Sequence, residues 1–150
     1  MKRKHKILNS IKEFSVIGQN VSGLCSKKES LFSVINSLSP LSSILLQETK
    51  VNKVGMLKLK DYQIFENVRK NRGVGGLLTA VLNHFNPVII ESNEDVDILV
   101  VEVSVSEGKL RLINAYGPQE YDQIENKLTF LRTFEEEIIK AKENGALVLV

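Results

Sequence analysis

The chain has 150 residues, of which 43% are hydrophobic and 25% are charged, and its net charge is +2. This length suits one globular domain with a real core, and so small a net charge does not by itself indicate a nucleic-acid partner. A single cysteine, Cys25, excludes an internal disulfide and a cysteine-based zinc cluster. Because no apolar run is long enough to span a membrane, we expect an intracellular protein, nuclear or cytoplasmic, with no membrane partner.

The N-terminus is basic. Four of the first six residues carry positive charge, namely Lys2, Arg3, Lys4 and Lys6. Residues 1–13 are predicted to form a flexible basic arm, which could contact phosphate, although short basic termini are more often solvated tails. Residues 14–150 contain no internal repeat and no linker rich in proline or glycine, so they are predicted to form one domain.

The first half of the chain alternates strands with one helix. Residues 14–18 are predicted to form a strand that ends at Gln19 and Asn20, and residues 44–46 a second, buried strand. Between them, Ser26 and Glu29 have the spacing of a capping box at the start of a helix. The apolar residues of that helix recur at helical spacing and predict one buried face: Leu31, Val34, Ile35 and Leu38.

The second half contains more strands and a long helix. Five strands are predicted, over residues 62–66, 77–82, 87–91, 97–105 and 109–116, and residues 106–108 read as a hairpin turn between the last two. Asp122 and Glu125 form a second predicted capping box. The helix after it is predicted to bury one face, formed by Leu128, Leu131, Phe134 and Ile138. Gly145 suits its C-terminus, and a strand follows over residues 146–150. Hairpin-linked strands among helices indicate an α/β fold with mixed or antiparallel pairing.

Polar side chains follow three of these strands. They are Asn20 after the first, Glu48 after the second, and Asn114 with Tyr116 near the end of the strand 109–116. Sites in α/β proteins often form at strand ends, and a carboxylate among amide and hydroxyl groups suits Mg²⁺. Each residue also has a simpler interpretation, because Asn20 could cap a turn, Glu48 could be solvated and Tyr116 could pack under a turn.

The glycine-rich segment 72–76 does not match a phosphate-binding P-loop. It lacks the Lys-Ser/Thr pair and precedes a strand rather than a helix. Two interpretations stay open. The glycines could permit a turn or a close backbone approach, or their N–H groups could form a phosphate-binding nest beside Arg69, Lys70 and Arg72.

Taken in order, these motifs resemble a known family. A strand ending in Asn20, the stretch ILLQETK at 44–50, the segment RGVGGLLTAV at 72–81 and NAYGPQ at 114–119 are similar to the endonuclease/exonuclease/phosphatase superfamily. The similarity is greatest to the apurinic-type endonuclease domain of non-LTR retrotransposons, and it covers nearly the whole chain from Phe14 onward. It implies a four-layer α/β sandwich, in which two packed mixed sheets lie between outer helices.

The resemblance also implies a chemistry and a set of site residues. The activity would be Mg²⁺-dependent cleavage of a DNA phosphodiester by activated water, with Mn²⁺ as an alternative ion. Glu48 matches the metal-binding glutamate, Asn20 the asparagine near the metal and the scissile phosphate, and Tyr116 the phosphate-contacting tyrosine. Four further residues are predicted to bind nucleic acid: Lys50, Arg69, Arg72 and Asn114. A reverse transcriptase domain in the same polyprotein is the implied partner besides DNA.

In the family, a strand like residues 146–150 is followed by a Gly-Asp-x-Asn motif, and an Asp-His pair comes later. The sequence stops at Val150, so the resemblance predicts only the N-terminal part of the domain, with negligible nuclease activity when made alone. Two alternatives remain at this point. One is a superfamily enzyme acting on a different phosphate ester, and the other is a non-catalytic relic or a nucleic-acid-interaction module.

Overall fold

The computed structural model describes residues 9–38, 40–69 and 74–150. One sheet contains β1 (Val16–Asn20), β2 (Ser43–Gln47), β3 (Tyr62–Asn67) and β4 (Leu77–Leu82), in the order β1-β2-β4-β3. The second contains β5 (Val88–Asn93), β6 (Ile98–Val105), β7 (Gly108–Ala115) and β8 (Leu147–Leu149), in sequence order. Within these ranges the two α-helices are α1 (Leu24–Ser37) and α2 (Ile124–Glu143), and short 3₁₀ helices span Ile11–Glu13 and Asn83–Phe85.

Both sheets are mixed. β1 pairs in parallel with β2, and β7 pairs in parallel with β8, whereas the remaining pairs are antiparallel. Each parallel pair is joined through a helix, as parallel neighbours require. The hairpin predicted at residues 106–108 connects β6 to β7, with Val105 opposite Gly108. The mixed α/β architecture predicted from the strand pattern is therefore confirmed.

Three apolar clusters hold four layers together. The cluster between the sheets includes Leu77 and Val81 of β4 with Val101 of β6 and Leu112 of β7. A second cluster packs α1 on the first sheet, and a third packs α2 on the second sheet. The layers are thus α1, first sheet, second sheet and α2, which is the predicted sandwich.

The predicted capping box at the start of α1 is wrong. The helix begins at Leu24, and Ser26 lies inside it and donates to the carbonyl of Gly23 at 3.3 Å. The start is fixed by tertiary contacts instead, because the amides of Gly23 and Leu24 donate to the carbonyls of Glu48 and Thr49, each at 2.8 Å. Those two amides therefore have partners without a capping side chain.

The second predicted capping box is also wrong. Helix α2 begins at Ile124 after Gln123, which makes no side-chain cap. The carboxylate of Asp122 accepts instead from the amide of Gln119 at 2.6 Å. Asp122 therefore stabilises the loop before α2 and does not cap the first turn of the helix.

Each helix buries only part of its predicted apolar face. On α1, Ile35 is buried and Leu31 is partly buried, but Val34 is exposed, and so is Leu38, which follows the last helical residue, Ser37. On α2, Phe134 and Ile138 pack on the second sheet, whereas Leu128 and Leu131 are exposed. The apolar residues that contact the sheets form one stripe on each helix: Phe32 joins Leu31 and Ile35 on α1, and Phe130 joins Phe134 and Ile138 on α2.

The described part of the predicted basic arm contacts the β6–β7 hairpin. The amide of Ser106 donates to the carbonyl of Asn9 at 3.0 Å. The Ser10 hydroxyl and the Ile11 amide both donate to the carboxylate of Glu107, and Ile11 packs against the core between the sheets. Residues 9–13 are therefore attached to the domain, and residues 1–8, with their cationic side chains, lie outside the described residues. Within the described ranges, neither helix has the combination of length and hydrophobicity needed to cross a bilayer.

Candidate active site

The backbone changes direction at Glu48, directly after β2 and beside the end of its parallel neighbour β1. Asn20 is the last residue of β1 and lies opposite Gln47, the last residue of β2. Directly after β2 the chain adopts left-handed conformations at Glu48 (φ 52°) and Lys50 (φ 51°), which are uncommon for residues other than glycine and are concentrated at functional sites. We call residues 48–50 the Glu48 bend.

The glycines of the segment 72–76 that the structure describes contact this bend. The amide of Thr49 donates to the carbonyl of Gly76 at 3.1 Å, and the amide of Lys50 donates to the carbonyl of Gly75 at 3.0 Å. Gly75 and Gly76 therefore approach another backbone closely, which favours the first of the two interpretations of this segment. Lys70, Arg72 and Gly73 lie outside the described residues.

The Glu48 carboxylate contacts side chains from the end of β1, from the segment directly after β7 and from its own bend. Its Oε1 accepts from the side-chain amide of Asn20 at 3.2 Å and from the hydroxyl of Tyr116. The ammonium of Lys50 lies 3.3 Å from its Oε2, and the side-chain amide of Gln119 donates to the Tyr116 hydroxyl. The three residues predicted to be catalytic are thus in direct contact, although they are far apart in sequence. Lys50 pairs with Glu48 rather than standing free to face phosphate.

The contacts set the charge state of this cluster. The hydrogen bond from Tyr116 is the main cause of a lowered pKa at Glu48, and the Asn20 amide and Lys50 contribute in the same direction, against the effect of burial. The same bond to the carboxylate, with burial, raises the pKa of Tyr116. At neutral pH the site therefore holds an ionised carboxylate beside a phenol that keeps its proton.

Glu48, Lys50 and Tyr116 lie on the wall of a cleft of about 510 Å³. Arg69 and two aromatic residues, Tyr121 and Phe130, also line it. Tyr121 is 86% exposed. The volume is within the range of sites for small organic ligands, and the wall combines cationic, anionic and aromatic side chains.

The guanidinium of Arg69 is fixed on this wall by the turn between β5 and β6. Its Nε lies 3.0 Å from Oδ1 of Asp97, and its Nη2 donates to the carbonyl of Asp95 at 3.3 Å. The Asp97 side chain is 2% exposed. Sequence reasoning missed Asp97, and the available signal was an aspartate directly before an apolar strand, because a carboxylate there needs a partner if it is buried.

Asn114 does not reach the cleft. It is 1% exposed, and its side-chain amide donates to the carbonyls of Leu46 and Leu78 at 3.2 and 3.0 Å. Its Oδ1 accepts from the side chain of Gln47 at 2.7 Å. The predicted contact with nucleic acid does not fit this burial. Asn114 instead joins β7 to the first sheet, because strand alternation directs its side chain between the sheets.

The donor set fits a hard divalent cation. Glu48 supplies an ionised carboxylate on the cleft wall. The NH₂ group of Asn20 donates to this carboxylate, and Oδ1 of Asn20 accepts from the amide of Ser22 at 3.0 Å. In the part of the chain that the structure describes, no group of three or more His, Cys, Asp or Glu side chains is assembled for a metal. Mg²⁺ in nucleotide-processing sites is commonly held by one or two carboxylates, with waters and phosphate oxygens as the other ligands. Glu48, whose carboxylate is oriented by Asn20, is compatible with such a site.

No protein-family model and no curated protein matches the sequence, but solved structures match the fold. The Xenopus laevis APE2 catalytic domain superposes with a TM-score of 0.71 at 18% identity, over 89% of this chain and 56% of that one. D. rerio TDP2 complexed with a single-strand DNA product gives 0.67 at 22% identity, over 90% and 58%. The endonuclease domain of TRAS1, a telomere-specific non-LTR retrotransposon, gives 0.53 at 15% identity, over 83% and 54%.

These neighbours have the endonuclease/exonuclease/phosphatase fold. The chain therefore has that fold, as the order of its motifs predicted. It spans only about half the length of the solved structures it matches. At identities below 25% the likeness is one of fold, so the activity is a separate inference from the site.

Proposed function

We propose that the chain carries the metal-binding side of a DNA endonuclease site of the retrotransposon type, which hydrolyses phosphodiester bonds with Mg²⁺ or Mn²⁺. One observation carries this proposal. Glu48 and Tyr116 meet on the wall of a cleft that also contains Lys50 and Arg69, and Asn20 donates to the Glu48 carboxylate from the end of β1. An ionised carboxylate that shares a cleft with a protonated phenol, Lys50 and Arg69 suits a metal-bridged phosphate better than it suits an apolar ligand.

The residues have distinct roles in this proposal. Glu48 would hold the cation, with Asn20 orienting the carboxylate through the bond to its Oε1. When bound, the cation supplies positive charge that polarises the phosphoryl group and stabilises the oxygen that leaves. Tyr116 keeps its proton because its pKa is raised, so its hydroxyl can donate to a phosphate oxygen. Lys50 would release Glu48 and turn to phosphate when the cation takes its place.

DNA is the proposed substrate because the cleft combines phosphate-binding and base-stacking groups. Arg69 presents an oriented guanidinium, a group whose geometry matches phosphate. Tyr121 and Phe130 are aromatic residues of the same wall, and stacking on such residues is a general means of holding single-stranded bases. The likeness to the TRAS1 endonuclease domain and the motif order support the retrotransposon type, and the reverse transcriptase domain implied by the resemblance stays a prediction.

We expect the 150-residue chain by itself to be a poor nuclease. The resemblance assigns the water-orienting acid to a Gly-Asp-x-Asn segment, and the sequence contains no Gly-Asp dipeptide. Absence of a general base alone typically lowers a rate by roughly 10²–10⁴-fold. Metal binding is therefore a more direct test of the proposal than turnover.

Calorimetric titration of the purified chain with Mn²⁺ and Mg²⁺ tests the proposal. We expect one Mn²⁺ site whose affinity falls about tenfold or more in Glu48→Gln, since a neutral amide replaces the only carboxylate of the donor set. Glu107→Gln is the matched control, because Glu107 is another carboxylate of lowered pKa that lies outside the cleft. Equal Mn²⁺ affinity in the wild type and Glu48→Gln would contradict the proposal.

A nicking assay on supercoiled plasmid separates the remaining alternatives. Mg²⁺-dependent nicking that Glu48→Gln abolishes would support the endonuclease and overturn the expectation of a poor nuclease. Hydrolysis of an inositol phosphate or a lipid phosphodiester, without action on DNA, would indicate another superfamily substrate. DNA binding that needs neither the cation nor Glu48 would indicate a non-catalytic interaction module.

A further inference from the structure

We propose that Asp97 is a positioning residue for the Glu48 site. It joins Arg69 to the turn at Gly75 and Gly76, and this turn holds the Glu48 bend. The inference rests on the proposed function, since it concerns the same site, but it assigns a role to a residue that neither motif nor resemblance identifies. Asp97 acts through its neighbours and would touch neither the cation nor the phosphate.

The carboxylate of Asp97 is at the centre of the network. Its Oδ1 accepts from Nε of Arg69 at 3.0 Å and from the amide of Gly76 at 3.4 Å. The carbonyl of the same residue accepts from the amide of Tyr116 at 3.1 Å. One residue therefore contacts the cleft arginine, the glycine turn and the backbone of the tyrosine that donates to Glu48.

The glycine turn leaves no space for a side chain. Gly75 and Gly76 both have positive φ, at 67° and 90°. A Cβ at Gly75 would lie 2.5 Å from Oδ2 of Asp97, and a Cβ at Gly76 would lie 2.6 Å from Oγ1 of Thr49. Asp97 and Thr49 thus each lie against one of the two glycines, so neither glycine can move toward its neighbour or carry a side chain.

The glycine turn supports the strained backbone of the Glu48 bend. Thr49 and Lys50 donate their amides to its two carbonyls, and Lys50 and Glu48 have left-handed backbones. Such conformations persist when the surrounding structure determines them. The direction of the Glu48 carboxylate therefore depends on the glycine turn, and the turn depends on Asp97.

Burial makes this connection sensitive to the charge of Asp97. Burial raises the pKa of Asp97, and Arg69 opposes that rise. A buried carboxylate with one cationic partner is destabilising once that partner is removed. Arg69 and Asp97 therefore keep each other in place, which orients the guanidinium on the cleft wall.

Amide hydrogen exchange tests the role without any need for turnover. Asp97→Asn keeps the shape of the side chain but removes its charge, and Glu94→Gln removes an exposed charge from the same turn as a matched control. We expect exchange at the amides of Thr49 and Lys50 to accelerate about tenfold in Asp97→Asn, as loss of a charged hydrogen bond implies. Exchange in the core of β6 should change little, and Glu94→Gln should match the wild type throughout.

The Mn²⁺ affinity of the same samples, measured under conditions in which each variant is fully folded, shows whether Asp97 positions the Glu48 carboxylate or only stabilises the fold. We expect Asp97→Asn to weaken Mn²⁺ binding several-fold, even though Asp97 contributes no ligand. Unchanged exchange at Thr49 and Lys50, unchanged affinity, or acceleration of equal size in β6 would each overturn the proposal. Arg69→Gln removes the same ion pair from the other side, so it should reproduce the local effect if Asp97→Asn does not fold. A wild-type chain that binds no Mn²⁺ would refute the proposed function, and the exchange results would still decide the structural role of Asp97.

Discussion

Two carboxylates of lowered pKa lie in different regions of this molecule and collect their donors differently. Glu107, in the turn between β6 and β7, accepts from Ser10, Ile11 and its neighbour Ser106. Glu48 accepts from Asn20 and Tyr116 and pairs with Lys50. Both anions are stabilised by hydrogen bonds, so a lowered pKa alone does not distinguish them.

Their surroundings do distinguish them. Glu107 is an exposed residue of the β6–β7 hairpin. It binds the N-terminal segment through Ser10 and Ile11. Glu48 lies on a cleft wall, has a left-handed backbone and receives side chains from the ends of β1 and β7. The donors to Glu48 come from separate elements and meet at a residue with a strained backbone, which indicates a functional site. The main donors to Glu107 come from one N-terminal segment, which indicates that Glu107 anchors that segment to the domain.

Of the variants considered, Gly76→Ala should lower the free energy of unfolding most. Its structural effect should be confined to the region of Glu48. Alanine there combines a left-handed backbone with a Cβ 2.6 Å from Oγ1 of Thr49, so we expect a loss of about 2–4 kcal/mol in the free energy of unfolding. Gly55→Ala is the control, because Gly55 has a φ of 81° and open space around it, which predicts only the backbone cost of about 1–2 kcal/mol. Urea denaturation of both variants measures the difference.

The same two variants also test whether the strain serves the site. In Gly76→Ala we expect weaker Mn²⁺ binding at a temperature where the variant is fully folded, whereas Gly55→Ala should bind like the wild type. Equal losses of stability in the two variants would mean that the Gly76 contact relaxes easily. The Glu48 bend would then differ less from the Glu107 turn than its geometry indicates.

Residue types at strand ends and the order of the motifs led to the prediction of a site at Glu48. Prediction from the sequence failed where contacts between distant residues determine the structure. Strand periodicity indicated β6, β7 and the hairpin between them, because alternation is a local property. The start of α1 could not be predicted in this way. Its first amides bond to carbonyls of the Glu48 bend, so a distant loop fixes the start in place of the local Ser26 and Glu29.

Asn114 and Tyr116 illustrate the same limit within one strand end. Both are polar, both belong to the stretch NAYGPQ, and the sequence assigned both to the site. Asn114 is buried between the sheets, whereas Tyr116 contacts Glu48. Asp97 is the converse case, since its partner Arg69 lies 28 residues earlier, with β4 and β5 between them, and local patterns cannot show that the two residues meet.

Tyr116→Phe should have a smaller effect, confined to the titration of Glu48. The Tyr116 hydroxyl is the first cause of the lowered pKa at Glu48, so its removal should move that pKa upward, toward the ordinary value. Carbon-detected NMR of the carboxyl groups in the metal-free protein would follow this change. Glu107 should titrate as in the wild type, and an unchanged Glu48 titration would mean that Asn20 and Lys50 suffice to hold the anion.

Glu107→Gln should have the smallest effect and should leave the Glu48 site intact. The hydrogen bonds from Ser10 and the Ile11 amide lower the pKa of Glu107 from 4.5 to about 2. Its stabilising contribution is therefore fully present above the unfolded value and is lost as the pH falls through about 2. The wild type should hold residues 9–13 more firmly than Glu107→Gln near pH 5, and the two proteins should converge at the acidic end. Exchange at the Ile11 amide, whose acceptor is Glu107, measures this difference directly. A Mn²⁺ affinity that changed together with Ile11 exchange would mean that the two carboxylate regions are coupled, contrary to the separation proposed for them.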